Sequence, residues 1–239
     1  MLPFIVLNGV SSKLIHGLIV QSLPPITKPS MRVEKEEIDG RDGDIITTLG
    51  YEAYDKPITI GLKGDYSIDD VIEYFNSSGE VIFSNEPDRY YKYMIYDQID
   101  FNRLVRFKTA AVNLHVQPFK YSTVDLPIEW VNETQTTIAT ISVRNTGNIY
   151  SKPILTLKGS GIITVYLDNT QVLSIDMGST SNTIIIDVTE MNATNPAGDF
   201  LNRRVTGDYN NLVFKAGNNN LRVTGNIEEI TIDKYSRWI

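Results

Sequence analysis

The hydrophobic residues of this chain recur mainly with a period of two. In the stretch PITIGLKG, Ile58, Ile60 and Leu62 alternate with small or polar residues. This alternation predicts a half-buried strand, because successive side chains of a strand point to opposite faces. The run RLVRFKTAAVNLHVQP alternates in two phases. One extra residue near Lys108 and Thr109 would bring both phases to one face, so we predict a strand with a β-bulge there.

The second half of the chain consists of short alternating or apolar runs. They are separated by Gly, Asn, Asp and Ser and read IATISVRN, ILTLKG, IITVYLDN, VLSID, TIIIDV, NLVFKAG, LRVTG and EITID. Strands and turns at this spacing are typical of an antiparallel sandwich. The N-terminal MLPFIVLNGVSSKLIHGLIVQSLPP favours two short strands over a signal peptide, because no basic residue precedes its interrupted apolar run. No segment reaches the roughly 18 apolar residues of a membrane span.

One segment, SIDDVIEYFNSSGE, has the period of a helix. Its apolar positions at i, i+3, i+4 and i+7 are Ile68, Val71, Ile72 and Phe75. This stripe predicts an amphipathic helix that faces the core. Ser67 is a favourable N-cap, and Gly79 is predicted to end the helix.

Composition narrows the classes of function. The 239 residues include no cysteine and two histidines, and the formal net charge is −7. The acidic balance argues against a general binder of nucleic acid or anionic membranes. The absence of cysteine excludes disulfides, thiolate zinc sites and thiol nucleophiles. The stretch PFKYSTVDLPIEWVNETQTT, with its prolines and polar cluster, predicts a boundary that separates a domain of residues 1–128 from one of residues 129–232.

The stretch IDGRDGD resembles a site more than any other short stretch does. Asp39, Asp42 and Asp44 could suggest calcium, but their spacing and the missing twelfth-position glutamate do not match an EF-hand loop. The order Gly-Arg-Asp-Gly is also not that of an Arg-Gly-Asp adhesion signal. Two glycines around the arginine and aspartate suit a tight turn with positive φ. We therefore predict a structural turn formed by Gly40, Arg41, Asp42 and Gly43, and no metal site.

Catalytic motifs are weak throughout the sequence. His16 and His115 lie in strand-like segments, and neither is followed by a nucleophile motif. The acid pairs Glu36–Glu37 and Glu228–Glu229 are adjacent in the chain, so in strands their side chains would point to opposite faces. We predict no enzyme, no catalytic residue and no cofactor.

A tyrosine-rich run, DRYYKYMIYDQIDFNR, is the second unusual stretch. In a strand, Tyr91 and Tyr93 would share one face, and Tyr90, Lys92 and Tyr96 would share the other. A strand with aromatic residues on both faces is buried on both sides, or is buried on one and contacts a partner on the other. Because Lys92 interrupts the outer aromatic row, these five residues are a candidate subunit or partner interface rather than a sugar platform.

Taken in order, these stretches resemble the distal tail protein (Dit) family of long-tailed bacteriophages with non-contractile tails and of related prophages. The resemblance rests on an N-terminal strand pair with NGV, GRDG before LGYEAYDKPITI, the short helix, and GEVIFSNEPDRYYKYMIYDQIDFNR running into HVQPFKY. It continues with VRNTGNIYSKPILTLKGSG, NNLVFKAGNNNLRV and the closing EEITIDKYSRWI. It therefore covers nearly the whole chain.

The resemblance implies a mainly β fold. It comprises a β-sandwich-like, ring-forming N-terminal domain with one short helix, followed by a galectin-like antiparallel β-sandwich. In several relatives the last residues return to the N-terminal domain, so residues 233–239 are a candidate to rejoin it. The chain shows no long insertion in the sandwich, and an extra receptor-binding arm is not expected.

The function that the resemblance implies is that of a structural hub at the virion tail tip, assembled in the cytoplasm of the host bacterium. A homo-hexameric ring would join the tail tube protein to the tail fibre or tail-associated lysin, with a receptor-binding protein as a further candidate partner. DNA would pass through the ring without specific binding. The alternative is a carbohydrate-binding β-sandwich without a tail role, in which Trp130, Tyr166 and Tyr209 would stack on sugars.

Overall fold

The computed structural model describes residues 2–239, which form two compact units. The first unit ends at Thr123 and includes Ile239, and the second is Val124–Trp238. The boundary predicted between residues 128 and 129 therefore lies a few residues beyond the division in the structure. Strands predominate in both units, so the prediction of a mainly β, antiparallel fold is confirmed.

The first unit contains one large antiparallel sheet, a separate two-stranded ribbon and two α-helices. Its strands are β1 (Ile5–Leu7), β2 (Val10–Ser11), β3 (Leu18–Ser22), β4 (Met31–Glu37), β5 (Asp44–Tyr51), β6 (Tyr54–Leu62), β7 (Ser78–Phe83), β8 (Arg89–Met94) and β9 (Thr109–Ser122). Its helices are α1 (Ile68–Phe75), α2 (Phe101–Phe107) and a 3-10 turn at Ser12–Leu14. The sheet order is β2-β1-β7-β8-β9-β6-β3, and β4 pairs with β5 alone.

Both helices contribute to the core of the first unit. Val71 and Phe75 of α1 and Leu104 of α2 are fully buried together with inward residues of the sheet such as Ile60 and Val112. The apolar residues that alternate along β6, Ile58, Ile60 and Leu62, thus face this core. Neither α-helix of the described residues is long and apolar enough to cross a membrane.

The helix predicted from SIDDVIEYF is confirmed as α1. The side chain of Ser67 accepts a hydrogen bond from the Asp70 N–H at 3.3 Å, as expected of an N-cap. Two details of the prediction are wrong. Ile72, predicted to face the core, is exposed, whereas Tyr74 is buried. The helix ends at Phe75, and Gly79 lies in β7.

The β-bulge predicted near Lys108 and Thr109 is wrong, and so is the expectation of a single helix in this unit. The residues before Lys108 form α2, in which the side chain of Asp100 caps the Arg103 N–H at 2.8 Å and Leu104 enters the core. Lys108 ends the helix in the left-handed conformation, with φ +57°. The two phases of the sequence pattern therefore belong to a helix and to the strand β9.

The second unit is built almost entirely from strands. They are β10 (Ile128–Val131), β11 (Ile138–Asn145), β12 (Ile154–Leu167), β13 (Thr170–Asp176), β14 (Asn182–Asp187), β15 (Asn192–Thr194), β16 (Val205–Gly207), β17 (Gly217–Asp233) and β18 (Arg237–Trp238). Two 3-10 turns lie at Asn202–Arg204 and Tyr209–Asn211.

The long strands β12 and β17 pair with each other and organise this unit into two layers. The first half of β12 pairs with β14 and its second half with β13, while β17 pairs with β11 along its first half and with β10 along its second. Inward residues of both halves form one core, so the sheet folds over itself into a β-sandwich. The pairing register shifts next to Gly159, where a Cβ would lie 2.2 Å from the Asn226 carbonyl oxygen.

Candidate functional site: surfaces of the first unit

The stretch IDGRDGD connects the two strands of the ribbon. Glu37 of β4 pairs with Asp44 of β5, and residues 38–43 form the turn between them. Gly40 has φ +82° and Gly43 has φ +79°, which is the left-handed region that glycine adopts most readily. Arg41 and Asp42 are exposed at the tip. Within residues 2–239, no group of three or more His, Cys, Asp or Glu side chains is arranged to hold a metal ion.

The ribbon formed by β4 and β5 is exposed and carries apolar and charged side chains on both faces. Every residue of β4 is exposed. The register Val33–Thr48 and Lys35–Ile46 puts Val33, Lys35 and Ile46 on one face, while Glu36 and Ile45 lie on the other. A two-stranded ribbon alone in water is marginally stable at best, because its exposed apolar side chains have no further layer to pack against. The ribbon is therefore a surface that suits a partner.

The base of the ribbon is held against the body of the first unit. The ring of Tyr51 packs edge-on against Phe119 with centroids 5.6 Å apart, and the Glu52 N–H donates to the Ser30 carbonyl at 2.9 Å. The first contact joins the end of β5 to β9, and the second closes the base of the ribbon between the residues that flank it.

A buried charged network surrounds Lys56 of β6, and it was not predicted from the sequence. Lys56 is 2% exposed, and its Nζ donates to the Pro25 carbonyl oxygen at 3.2 Å and lies 4.8 Å from the Tyr91 ring centroid. The Glu86 carboxylate accepts from the Tyr91 hydroxyl at 2.7 Å and pairs with Lys120 at 2.6 Å. The missed signal was the phase of Lys56, which shares the inward face of β6 with Ile58.

Burial controls the electrostatics of this network. Desolvation lowers the pKa of Lys56, and the nearby Glu86 charge opposes that shift. Desolvation also raises the pKa of the Tyr91 phenol, and the hydrogen bond that it donates to Glu86 acts in the same direction. The buried Lys56 ammonium is stabilised by the Glu86 carboxylate, the Pro25 carbonyl and the Tyr91 ring. We interpret this network as part of the folded core and not as a binding site.

The tyrosine-rich strand β8 has one face in the core. Tyr91 and Tyr93 are buried, and the Tyr93 hydroxyl lies 2.5 Å from the Ser77 hydroxyl. Burial raises the pKa of Tyr93. These two candidate interface residues therefore hold the sheet together and are not available to a partner.

The opposite face of β8 is partly open. Tyr90 stacks on Tyr121 with centroids 5.3 Å apart, and the Lys92 ammonium lies 5.6 Å from the same Tyr121 ring. Tyr96, which follows the strand, is 62% exposed and lies against the ring of His115. Tyr90, Lys92 and Tyr96 thus remain candidates for a partner surface.

The histidines and acid pairs take part in local polar contacts. His115 Nδ1 lies 2.8 Å from the Asp55 carboxylate, and this hydrogen bond holds the Asp55 pKa below its usual value. His16 lines a groove beside α1. Both members of the pair Glu228–Glu229 lie within ion-pair distance of Lys158, so the expectation that their side chains point to opposite faces is wrong. The pairing register of β17 skips Glu228, which breaks the alternation there. The pair Glu36–Glu37 alternates across the exposed strand β4.

The aromatic residues considered for sugar stacking belong to three elements of the second unit. Trp130 of β10 and Tyr209 pack against the hydrophobic core. Tyr166 of β12 lies under the Arg222 guanidinium, 4.1 Å from its carbon. Within residues 2–239, none of these three rings stacks on another.

Comparison with known proteins gives one match to a family model, in the first unit. Residues 12–116 match the family described as phage tail protein RIFT-related domain. No curated protein matches the chain.

Among solved structures, the chain is similar to the Dit protein of phage SPP1 (gp 19.1), described as a paradigm of the hub adsorption apparatus in phages that infect Gram-positive bacteria. The identity is 20%, the TM-score is 0.67, and the match covers 98% of this chain and 100% of the SPP1 chain. A chain of the phage P2 baseplate with calcium matches at 10% identity and a TM-score of 0.49, covering 97% of both chains. The resemblance expected from the sequence is therefore confirmed: residues 12–116 match the phage tail protein RIFT-related domain, and the chain as a whole has the fold of SPP1 Dit.

Proposed function

We propose that this chain is the distal tail hub of a siphophage, a structural virion protein rather than an enzyme. Six copies form a ring at the tail tip that joins the tail tube to the tail fibre or tail-associated lysin, with a receptor-binding protein as a further partner. The ring assembles in the host cytoplasm and remains in the virion. The observation that carries this proposal is a phage tail domain at residues 12–116 within a fold that matches SPP1 Dit from end to end.

The surfaces of the first unit support a role in assembly. The ribbon β4–β5 is largely exposed and presents the apolar side chains Val33, Ile46 and Leu49 to water, an arrangement that favours packing against another chain. Lys92 and Tyr96 add a second partly open surface. We expect the first unit to make the ring and the second unit to project from it.

The test is the mass and shape of the purified protein. We expect multi-angle light scattering and native mass spectrometry to give six chain masses, and negative-stain microscopy to show rings. Each subunit contact should bury at least about 1,000 Å² in total. A chain that stays monomeric at high concentration would contradict the proposal.

A further inference from the structure

An open groove lined by apolar and polar residues, two carboxylates among them, lies along one flank of α1. Its volume is about 440 Å³, and its apolar lining includes Val10, Leu14 and Ile15. Leu14 is 76% exposed, so the groove presents a large aliphatic side chain to water. Asp70 and Glu73 of α1 line the same groove, and neither carboxylate forms an ion pair among residues 2–239.

A protruding basic and aromatic surface lies on α2. Leu104 points into the core, whereas Arg103, Arg106 and Phe107 are exposed. Phe107 is 66% exposed at the end of the helix, and the Arg106 guanidinium lies 5.6 Å from its ring. Within the described part of the chain, neither arginine forms an ion pair with a carboxylate.

The groove and the α2 surface lie on opposite flanks of α1. An α-helix turns by about 100° per residue, so Asp70 and Glu73 face one side while Ile72 and Phe75 face the other. Ile72 and Phe75 line a cleft together with Phe101, the first residue of α2. One copy of the chain can therefore offer both surfaces at once, in different directions.

We propose that Phe107 of one copy inserts into the groove of the next copy, with Arg103 and Arg106 beside Asp70 and Glu73. The occupant of the groove is a second copy of this chain, because the two surfaces are complementary in both polarity and charge. Aromatic and arginine side chains are the residues that most often dominate an interface energetically. Two different surfaces make a head-to-tail contact, and such contacts generate a closed ring when the rotation closes. This inference rests on the proposed ring and supplies its subunit contact.

The first test uses two exposed positions and a matched control. Phe107→Asp removes the protruding aromatic residue, Leu14→Asp blocks the groove, and Phe200→Asp changes a phenylalanine that is 72% exposed in the second unit. We expect each of the first two variants to raise the concentration needed for half-assembly by about thirtyfold or more. Phe200→Asp should leave assembly as in the wild type.

Mixing the two defective variants tests the head-to-tail geometry. Phe107→Asp keeps an intact groove and Leu14→Asp keeps an intact Phe107, so an equimolar mixture should form a species of two chain masses in native mass spectrometry. A symmetric contact, in which each surface meets its own copy, would not give this result. Heterodimers absent from the mixture would overturn the geometry.

Charge reversal distinguishes loss of the subunit contact from loss of folding, because a misfolded chain would not regain assembly in a double variant. Arg106→Glu and Glu73→Arg should each weaken assembly, and the chain that carries both should regain it. Failure of the double variant to recover, or wild-type assembly by both Phe107→Asp and Leu14→Asp, would overturn this contact while leaving the ring in place. A wild-type chain that is monomeric would overturn both the ring and the contact.

Discussion

Glu86 is the residue on which the polar interior of the first unit depends. Its carboxylate accepts the Tyr91 hydroxyl, pairs with Lys120 and attracts the buried Lys56. Replacing it by Glu86→Gln would leave an ammonium buried without a counter-charge. Breaking a buried pair from one side costs about 3 kcal/mol of unfolding free energy, and we expect a loss of that order. Chemical denaturation, with hydrogen exchange of peptides from β8 and β9, measures it.

The pH dependence of this loss follows from the lowered pKa of Lys56. Because its pKa is lowered, Lys56 loses its proton at a lower pH in the folded state than in the unfolded state. The free energy of unfolding that is lost by burying this charge is therefore regained as pH rises towards the unfolded pKa. The Glu86→Gln penalty should therefore be larger near about pH 7 than near about pH 9.5. Asp88→Asn is the control, since Asp88 pairs with Arg89 at an exposed site and should change stability by less than about 1 kcal/mol. An equal loss in both variants would contradict this interpretation.

Sequence patterns predicted the elements whose determinants are local. The cap and apolar stripe of α1 lie within one segment, and the glycines of the turn lie beside the residues that they connect. The helix α2 was missed because it is short and because Val105 and Phe107 alternate like strand residues. The position of Lys56, two residues before Ile58 in β6, indicated that its side chain is buried. Its partners come from distant segments of the chain, so the sequence pattern could not identify Glu86 as the compensating charge. The groove beside α1 likewise depends on how α1 packs against β1 and β2.

The ribbon is the element in which the IDGRDGD stretch has its effect. At Gly43, a Cβ would meet no heavy atom within 4 Å, so a substitution there is opposed by the positive φ and not by a clash. Gly43→Val should destabilise the turn by about 1 to 3 kcal/mol. Hydrogen exchange of peptides from β4 and β5 should accelerate, while peptides from β6 and β9 stay protected.

EDTA tests the metal interpretation of the same element. Asp39, Asp42 and Asp44 are exposed, and we expect chelation to leave the melting temperature unchanged. A drop in melting temperature with EDTA that calcium reverses would show that these carboxylates hold a cation. For the Gly43→Val variant described above, hydrogen exchange in β4 and β5 that is as slow as in the wild type would show that the turn does not depend on glycine.

The charge of the whole molecule bears on the passage of DNA. Each chain carries a formal charge of −7, and a ring of acidic chains has little electrostatic attraction for phosphates. We expect the bore to be lined by acidic or neutral side chains, with Arg32, Lys35 and Arg41 paired or turned away from it. The assembled protein should not bind duplex DNA at about 20 mM salt, where screening is weakest.

A basic variant provides the positive control for this measurement. Glu34→Lys combined with Glu36→Lys makes one face of the ribbon basic, and any DNA binding that appears should fall steeply as salt is added. Micromolar binding by the wild-type ring that disappears with salt would mean that a basic patch faces the DNA, and the expectation of a neutral or acidic bore would be wrong.

The two long strands of the second unit have a kinetic consequence. Leu155 pairs with Ile232 at one end of β12, and Leu167 pairs with Leu221 at the other. Both layers therefore require that β12 and β17, which are far apart in the sequence, pair first. The entropy of closing this long loop is lost before the stabilising contacts between the strands form, and this makes folding slow. Neither layer can form or melt without the strands that it shares with the other. The second unit should therefore refold in one concerted transition, and a nascent chain gains no stable sandwich until β17 has left the ribosome.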